Sequence, residues 1–216
     1  MNYIKIILSL LLIVLFQTKE VLAVSEPKYK VESKTERYEI RTYPITLVAQ
    51  TKLETEFEKA GNNAFVILAD SIFGNNKSKT KIDMTAPVLQ QSASQQPVSQ
   101  QAVSEKIAMT APVSQIKNLG GYVVQFTMPE EYTIDTLPIP NDKRVELIQV
   151  PARTVAVYSY SGSWSESKYN KKLEEFKLIL TQDNIKTQGE PIFARFDSPF
   201  RLWFLRRNEI WLEVTQ

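Results

Sequence analysis

The sequence predicts an α+β fold built from two halves of similar plan. Apolar residues alternate with period two in several short segments bounded by turn residues, the pattern of half-buried strands. Two longer segments switch to helical spacing. The order strand, helix, strand, strand occurs over residues 45–113 and again over 153–215. The sheets of the two halves would join into one curved sheet or barrel, with a helix against each half.

Residues 1–23 read as a secretory signal. Lys5 gives a positive start, Ile6 to Phe16 is apolar apart from Ser9, and Val21-Leu22-Ala23 suits cleavage after Ala23. The apolar run is short for a bilayer, so no stable membrane span is expected once the signal is cleaved. Removal of 1–23 leaves 24 basic against 23 acidic residues in 24–216. That balance offers no basic field for nucleic acid. The expectation is a single exported domain, a monomer, in a bacterial periplasm or secreted.

Tyr38 to Arg41 and Ile45 to Leu53 read as strands. Glu54 to Phe73 reads as a helix stopped by Gly74-Asn75-Asn76. Its apolar residues form two stripes, Phe57, Ala60, Ala64, Ile67 and Phe65, Leu68, Ala69, Ile72. One sheet face covers about half of so wide an arc. The second stripe is therefore either covered by a loop or lines an apolar cleft.

KIDMTAPV (81–88) and KIAMTAPV (106–113) follow, with Ile, Met, Ala and Val alternating in each. They read as two antiparallel strands, each with a proline near its end. The Gln/Ser-rich tract between them, 89–105, reads as a mobile loop. Further strands are expected at 122–128, 144–150 and 154–160. A second helix opens on a capping box at Ser163-Trp164-Ser165-Glu166 and buries Tyr169, Leu173, Phe176 and Leu180. Gly189-Glu190-Pro191 closes that segment. The last strands are expected at 192–196 and 209–214.

The chain contains no histidine and no cysteine. That excludes Ser–His and Cys–His nucleophile pairs and any imidazole or thiolate metal site. The segment DSPFRLWFLRRNEIW (197–211) is the most unusual stretch. Large apolar side chains interleave with Arg201, Arg206 and Arg207 in what spacing makes a loop. Either the aromatics pin the loop to the core, or they form an apolar pocket with a cationic rim. The second arrangement suits a flat apolar ligand bearing carboxylates.

RYEIRTYP (37–44), the two MTAPV phrases and FLRRNEIW (204–211) occur in that order. On these motifs the chain resembles the SOUL family of haem-binding proteins, over residues 28 to 215. The resemblance implies a distorted antiparallel β-barrel of two pseudo-repeated βαββ halves with two flanking helices. It also implies non-catalytic binding of haem or a related tetrapyrrole. The family's cleft lies between the first helix and the loop before the last strand. Here those are Phe65, Leu68, Ala69 and Ile72, facing Phe200, Arg201, Trp203 and Phe204. Arg201 matches a basic position that can pair with a propionate. Iron has no histidine ligand in this chain; Met84, Met109, Met128 and tyrosines remain, but methionines on an apolar strand face read as core. Haem is therefore expected to be held by its faces and carboxylates, with no metal-ligating residue. Two other readings stay open. One is a binding module for another amphipathic carboxylate. The other is an enzyme using Glu209, a residue that equally suits a strand-end salt bridge with Arg206 or Arg207.

Overall fold

The structure is a computed structural model that describes residues 26–77, 111–118, 120–197 and 201–215. The signal (1–23), the 89–105 tract, most of the two repeated phrases and Phe200 lie outside the described residues. The elements are β1 (Lys30–Lys34), β2 (Glu39–Tyr43), β3 (Thr46–Leu53), α1 (Phe57–Ile72), β4 (Asn76–Lys77), β5 (Val113–Asn118), β6 (Gly121–Thr127), β7 (Ile139–Pro140), β8 (Glu146–Val150), β9 (Arg153–Ser161), α2 (Glu166–Gln182), β10 (Thr187–Arg195), a 3₁₀ turn (Trp203–Leu205) and β11 (Arg207–Val214). The class is α+β: two α-helices on a large antiparallel sheet.

Nine strands pair in the order β1-β2-β9-β11-β10-β5-β6-β3-β8, and β4 pairs with β7 apart from them. Two units of the same plan account for eight of the nine: β2-β3-α1-β5-β6 and β8-β9-α2-β10-β11. Their second-to-last strands, β5 and β10, meet at the centre. Their first strands are exchanged. β2 pairs with β9 of the other half, and β8 pairs with β3. The opening segments still match in sequence, EIRTYP (39–44) against ELIQVP (146–151).

This exchange bends the sheet. β2 and β3 stand six places apart in the strand order but are joined through Pro44-Ile45 alone. Six strand spacings in a flat sheet would span roughly 29 Å, whereas the three peptide units from Tyr43 to Thr46 reach about 11 Å. Pro151-Ala152 imposes the same limit between β8 and β9. The sheet must curl until its ends approach. It is not closed by hydrogen bonds, however: β1 and β8 remain its two edges. The expected barrel is thus a curled open sheet. Residues 26–29 lie against the face opposite the helices, where Glu26 pairs with Arg207, Lys28 with Glu130, and the Tyr29 ring meets Tyr43 at a tilt, 5.2 Å away.

Each helix packs on its own half. α1 buries Ala60, Ala64, Leu68 and Ile72 against Leu47, Ala49, Val124 and Phe126. α2 buries Tyr169, Leu173, Phe176 and Leu180 against Ala156, Phe193, Ile210 and Leu212, with the spacing the sequence predicts. Phe57 joins the two layers, stacking on Tyr169 at 4.9 Å and on Phe193 at 5.3 Å.

Several local expectations are corrected. β5 begins at Val113, where the second repeated phrase ends, so the first half runs on to Thr127. β1 has no alternating apolar pattern and was not expected; its five residues are all exposed. β10 starts at Thr187 and passes through an irregularity between Gln188 and Ile192. There Gly189 adopts a positive φ and Pro191 has no N–H to offer the ladder. The capping box does not form. Ser165 is the N-cap but makes no side-chain cap bond. The Glu166 N–H instead donates to Glu58 of α1 at 3.0 Å, and that bond holds the Glu58 carboxyl below its ordinary value.

Candidate functional site

The helix residues of the expected cleft are placed unequally. Leu68, Ala69 and Ile72 are buried, and Leu68 and Ile72 belong to a cluster with Leu137, Met128 and Val145. The 129–145 connection covers this part of α1. Phe65 is the one of the four with surface to offer, with its ring 5.7 Å from Phe126.

The loop residues stand the other way. Leu202, Trp203, Phe204 and Leu205 are each between 51% and 59% exposed, so they are not pinned to the core. Trp203 and Phe204 meet edge to face at 5.6 Å. The base of the loop is fixed by Asp197, whose carboxylate accepts from Arg201 Nη1 at 2.6 Å and from the Arg207 N–H. The loop thus displays apolar surface from a defined base.

Helix and loop are connected through Arg206 together with Trp164, Arg195 and Gly61, to which sequence reasoning assigns no functional role. Arg206 donates from Nε to the Arg201 carbonyl and stacks 4.2 Å above the Trp164 ring. The Arg195 guanidinium lies 4.9 Å from the same ring. It rests on Gly61 of α1 so closely that a Cβ there would fall 2.4 Å from Nη1. Phe65 is one turn further along that helix. Trp164 Nε1 donates to Asn208 at 2.8 Å, which sets its orientation. Arg195 could have been noticed by alternation: in Ile192-Phe193-Ala194-Arg195 it shares a face with buried Phe193, an unusual place for a charge.

Arg195 is 5% exposed and its Nη2 donates to Gln115 at 2.9 Å. Among the described residues no carboxylate lies within salt-bridge distance of it, and Nε has no partner. Burial pushes its guanidinium down to about 10. Burial likewise pushes the Tyr43, Tyr160 and Tyr169 phenols above their ordinary value of 10.0. Because these phenols are raised on folding, their contribution is intact below pH 10 and is lost as pH rises from there. Arg195 and Arg153, both lowered by burial, work in the opposite sense over that range, but are two against these three. Thermal stability should therefore fall as pH rises above 10. Tyrosinate absorbance of these three should appear together with unfolding; full titration in the native state would refute this.

On the opposite face of the sheet, Glu209 is fully buried. Its carboxylate accepts from Arg41 at 3.0 Å, Arg207 at 2.9 Å, Ser159 at 3.1 Å and Trp211 Nε1 at 2.7 Å. Burial opposes the charge of Arg41, but Glu209, Tyr43 and Glu39 together outweigh it and hold that guanidinium above its ordinary value. So many donors leave Glu209 no lone pair for proton transfer. The salt bridge with Arg207 is present; Arg206 is directed to Trp164 instead. A cavity of about 20 Å³, lined among others by Tyr43, Gln125, Arg153 and Trp211, is the space left beside this network. A separate groove of about 360 Å³ lies among Pro27, Pro44, Ile45, Leu47, Met128 and Tyr132, with the Lys28–Glu130 pair at its rim.

No group of three or more Asp and Glu residues able to hold a metal occurs among the described residues. Nor is any helix of the described residues long and apolar enough to cross a membrane.

A curled antiparallel sheet with two helices and an exposed aromatic loop makes an α+β domain. Comparison with known proteins gives the family. The profile described as SOUL heme-binding protein matches residues 24–104 and 98–213. Heme-binding protein 2 of Homo sapiens is 30% identical over 178 residues, covering 81% of this chain and 77% of that protein. Its Mus musculus counterpart is 28% identical over the same length. This chain belongs to the SOUL haem-binding family. Among solved structures, the EcmrR C-terminal domain superposes with a TM-score of 0.53 at 11% identity, over 87% of this chain and 98% of that one. At that identity the likeness shows the fold.

Proposed function

We propose that this chain binds haem or a related tetrapyrrole reversibly, without catalysing a reaction on it. The observation that carries the reading is the run Leu202–Leu205, four large apolar side chains more than half exposed on a loop anchored at its base. Such a contiguous patch suits the face of a flat apolar ligand. Phe65 would extend the surface from α1. Arg201 is 53% exposed at its side chain and among the described residues pairs with Asp197 alone, which leaves the outer donors of its guanidinium available to a propionate.

The residues present fit a porphyrin held by its faces and carboxylates. They do not fit imidazole or thiolate ligation of its iron, since the chain has neither group, and Met128 is buried in the core under α1. Leu68, Ala69 and Ile72 support the surface from beneath. Phe200 would belong to the same loop. The fully engaged Glu209 gives no support to an enzymatic reading. We further propose that residues 1–23 direct export and are removed, and that 24–216 acts as a monomer outside the cytoplasm.

The test is a haemin titration of residues 24–216 followed by absorbance, with Phe65→Ala and Arg201→Ala in parallel and octanoate as competitor. Each variant should weaken haemin several-fold, and octanoate should not displace it. Equal affinity in all three proteins would remove the proposed surface. Full displacement by octanoate would favour an amphipathic-carboxylate module.

A further inference from the structure

Two arginines of this chain are equally buried and differently served. Arg41 and Arg195 are each 5% exposed. Arg41 is met by two carboxylates, Glu39 at 2.7 Å and Glu209 at 3.0 Å. Arg195 is met by none among the described residues. Its acceptor is the neutral amide oxygen of Gln115, and its Nε hydrogen is buried without a partner. A guanidinium presents five N–H donors, and a buried cation is ordinarily paired. The rings of Trp164 and Phe193, at 4.9 and 5.1 Å, offer their faces to it but accept no charge-assisted hydrogen bond.

The surroundings repeat the deficit. Arg195, Asn208 and Tyr160 stand side by side on β10, β11 and β9, in register and on the helix-facing side. The Tyr160 hydroxyl is also buried without a partner. Arg206 adds a second positive charge on the Trp164 ring. The carboxylate acting on Arg195 from a distance, Glu58, is already committed to the Glu166 N–H. Gly61 keeps α1 clear of the guanidinium. The half-buried Trp164 lies over it, next to the base of the apolar loop.

We propose that Arg195 and Tyr160, beneath Trp164, receive a carboxylate of the ligand whose flat body lies on the Leu202–Leu205 loop. This rests on the ligand reading above and adds an anchor to it. The carboxylate accepts from Arg195 Nε and the Tyr160 hydroxyl, two donors that have no acceptor among the described residues. Trp164 moves aside to admit it, and Arg206 follows the ring.

The test compares haemin with haemin dimethyl ester on wild type, Arg195→Met and Tyr160→Phe, residues 24–216 throughout. Wild type should prefer the free acid by roughly tenfold or more, the scale of a charge-assisted pair. Arg195→Met should lose most of that preference, keeping only the share that Arg201 contributes. Its melting temperature should be equal or higher, because an apolar side chain replaces an uncompensated charge. Tyr160→Phe should lose part of the preference. Parallel loss of both ligands in Arg195→Met, or a wild-type preference retained, would overturn the anchor while leaving tetrapyrrole binding in place. If wild type binds neither form, the tetrapyrrole reading fails, and benzoate then tests the anchor alone. A benzoate-dependent shift of the Arg195 Nε–H resonance, a signal missing in Arg195→Met, supports the anion site. No shift overturns it.

Discussion

Glu209→Ala is expected to destabilise the fold by about 3–5 kcal/mol, the cost of breaking a buried ion pair from one side. The carboxylate is completely buried, and Arg41 facing it has a side chain only 6% exposed. Without Glu209, Arg41 keeps Glu39 but loses its deeper partner, and the Trp211 and Ser159 donors lose their acceptor. Against a total stability on the order of 5–15 kcal/mol, that is a large fraction. Glu209→Gln should cost less, since an amide oxygen still accepts. Pairing Glu209→Ala with Arg41→Met should recover much of the loss, because the orphaned charge is then gone. Urea unfolding measures all three. A loss under about 1 kcal/mol for Glu209→Ala would mean that water reaches the site and replaces the carboxylate. The native fraction of Glu209→Gln should bind haemin as wild type does, since Glu209 lies on the sheet face away from the loop.

The second large effect concerns binding. Trp203→Ala combined with Phe204→Ala should weaken haemin binding by about 30-fold or more. Covering even part of two aromatic rings contributes on the order of 2 kcal/mol or more at an interface. Stability should barely change, because both rings are more than half exposed in the free protein and leave no core cavity. The separation between the two measurements is the point of the experiment. A fall in melting temperature matching the loss of affinity would show that the rings support the fold. Unchanged affinity would place the ligand elsewhere, with the groove beside Ile45 and Tyr132 the next surface to probe.

The two sets of variants address opposite faces of one sheet, and alternation along β11 explains why. Arg207, Glu209 and Trp211 turn to the face away from the helices, while Asn208, Ile210 and Leu212 turn toward them. A charge-rich stretch such as RRNEIW thus divides between two environments. From sequence, Arg206, Arg207 and Glu209 look like one cluster. In the fold, Arg206 stacks on Trp164 and Arg207 holds Glu209 from the other side.

What the sequence determines by itself is local and periodic. The helices, the pairing-competent strands, the α2 core residues and the odd composition of the 197–211 loop all follow from spacing and side-chain type. The absence of histidine and cysteine limits the chemistry outright. The repeated motifs name the family. Only the tertiary structure decides which strands are neighbours. The exchange of β2 and β8 between halves requires contacts 96 to 118 residues apart in the chain, beyond the reach of any local pattern. The cover over Leu68 and Ile72 depends in the same way on where the 129–145 connection falls. Arg195 is the clearest instance. Its charge is visible in the sequence, but the lack of a carboxylate beside it among the described residues is a property of three strands in register, a helix at Gly61 and Trp164 above them. A buried charge is recognised as lacking a partner only once the elements packed around it are in place.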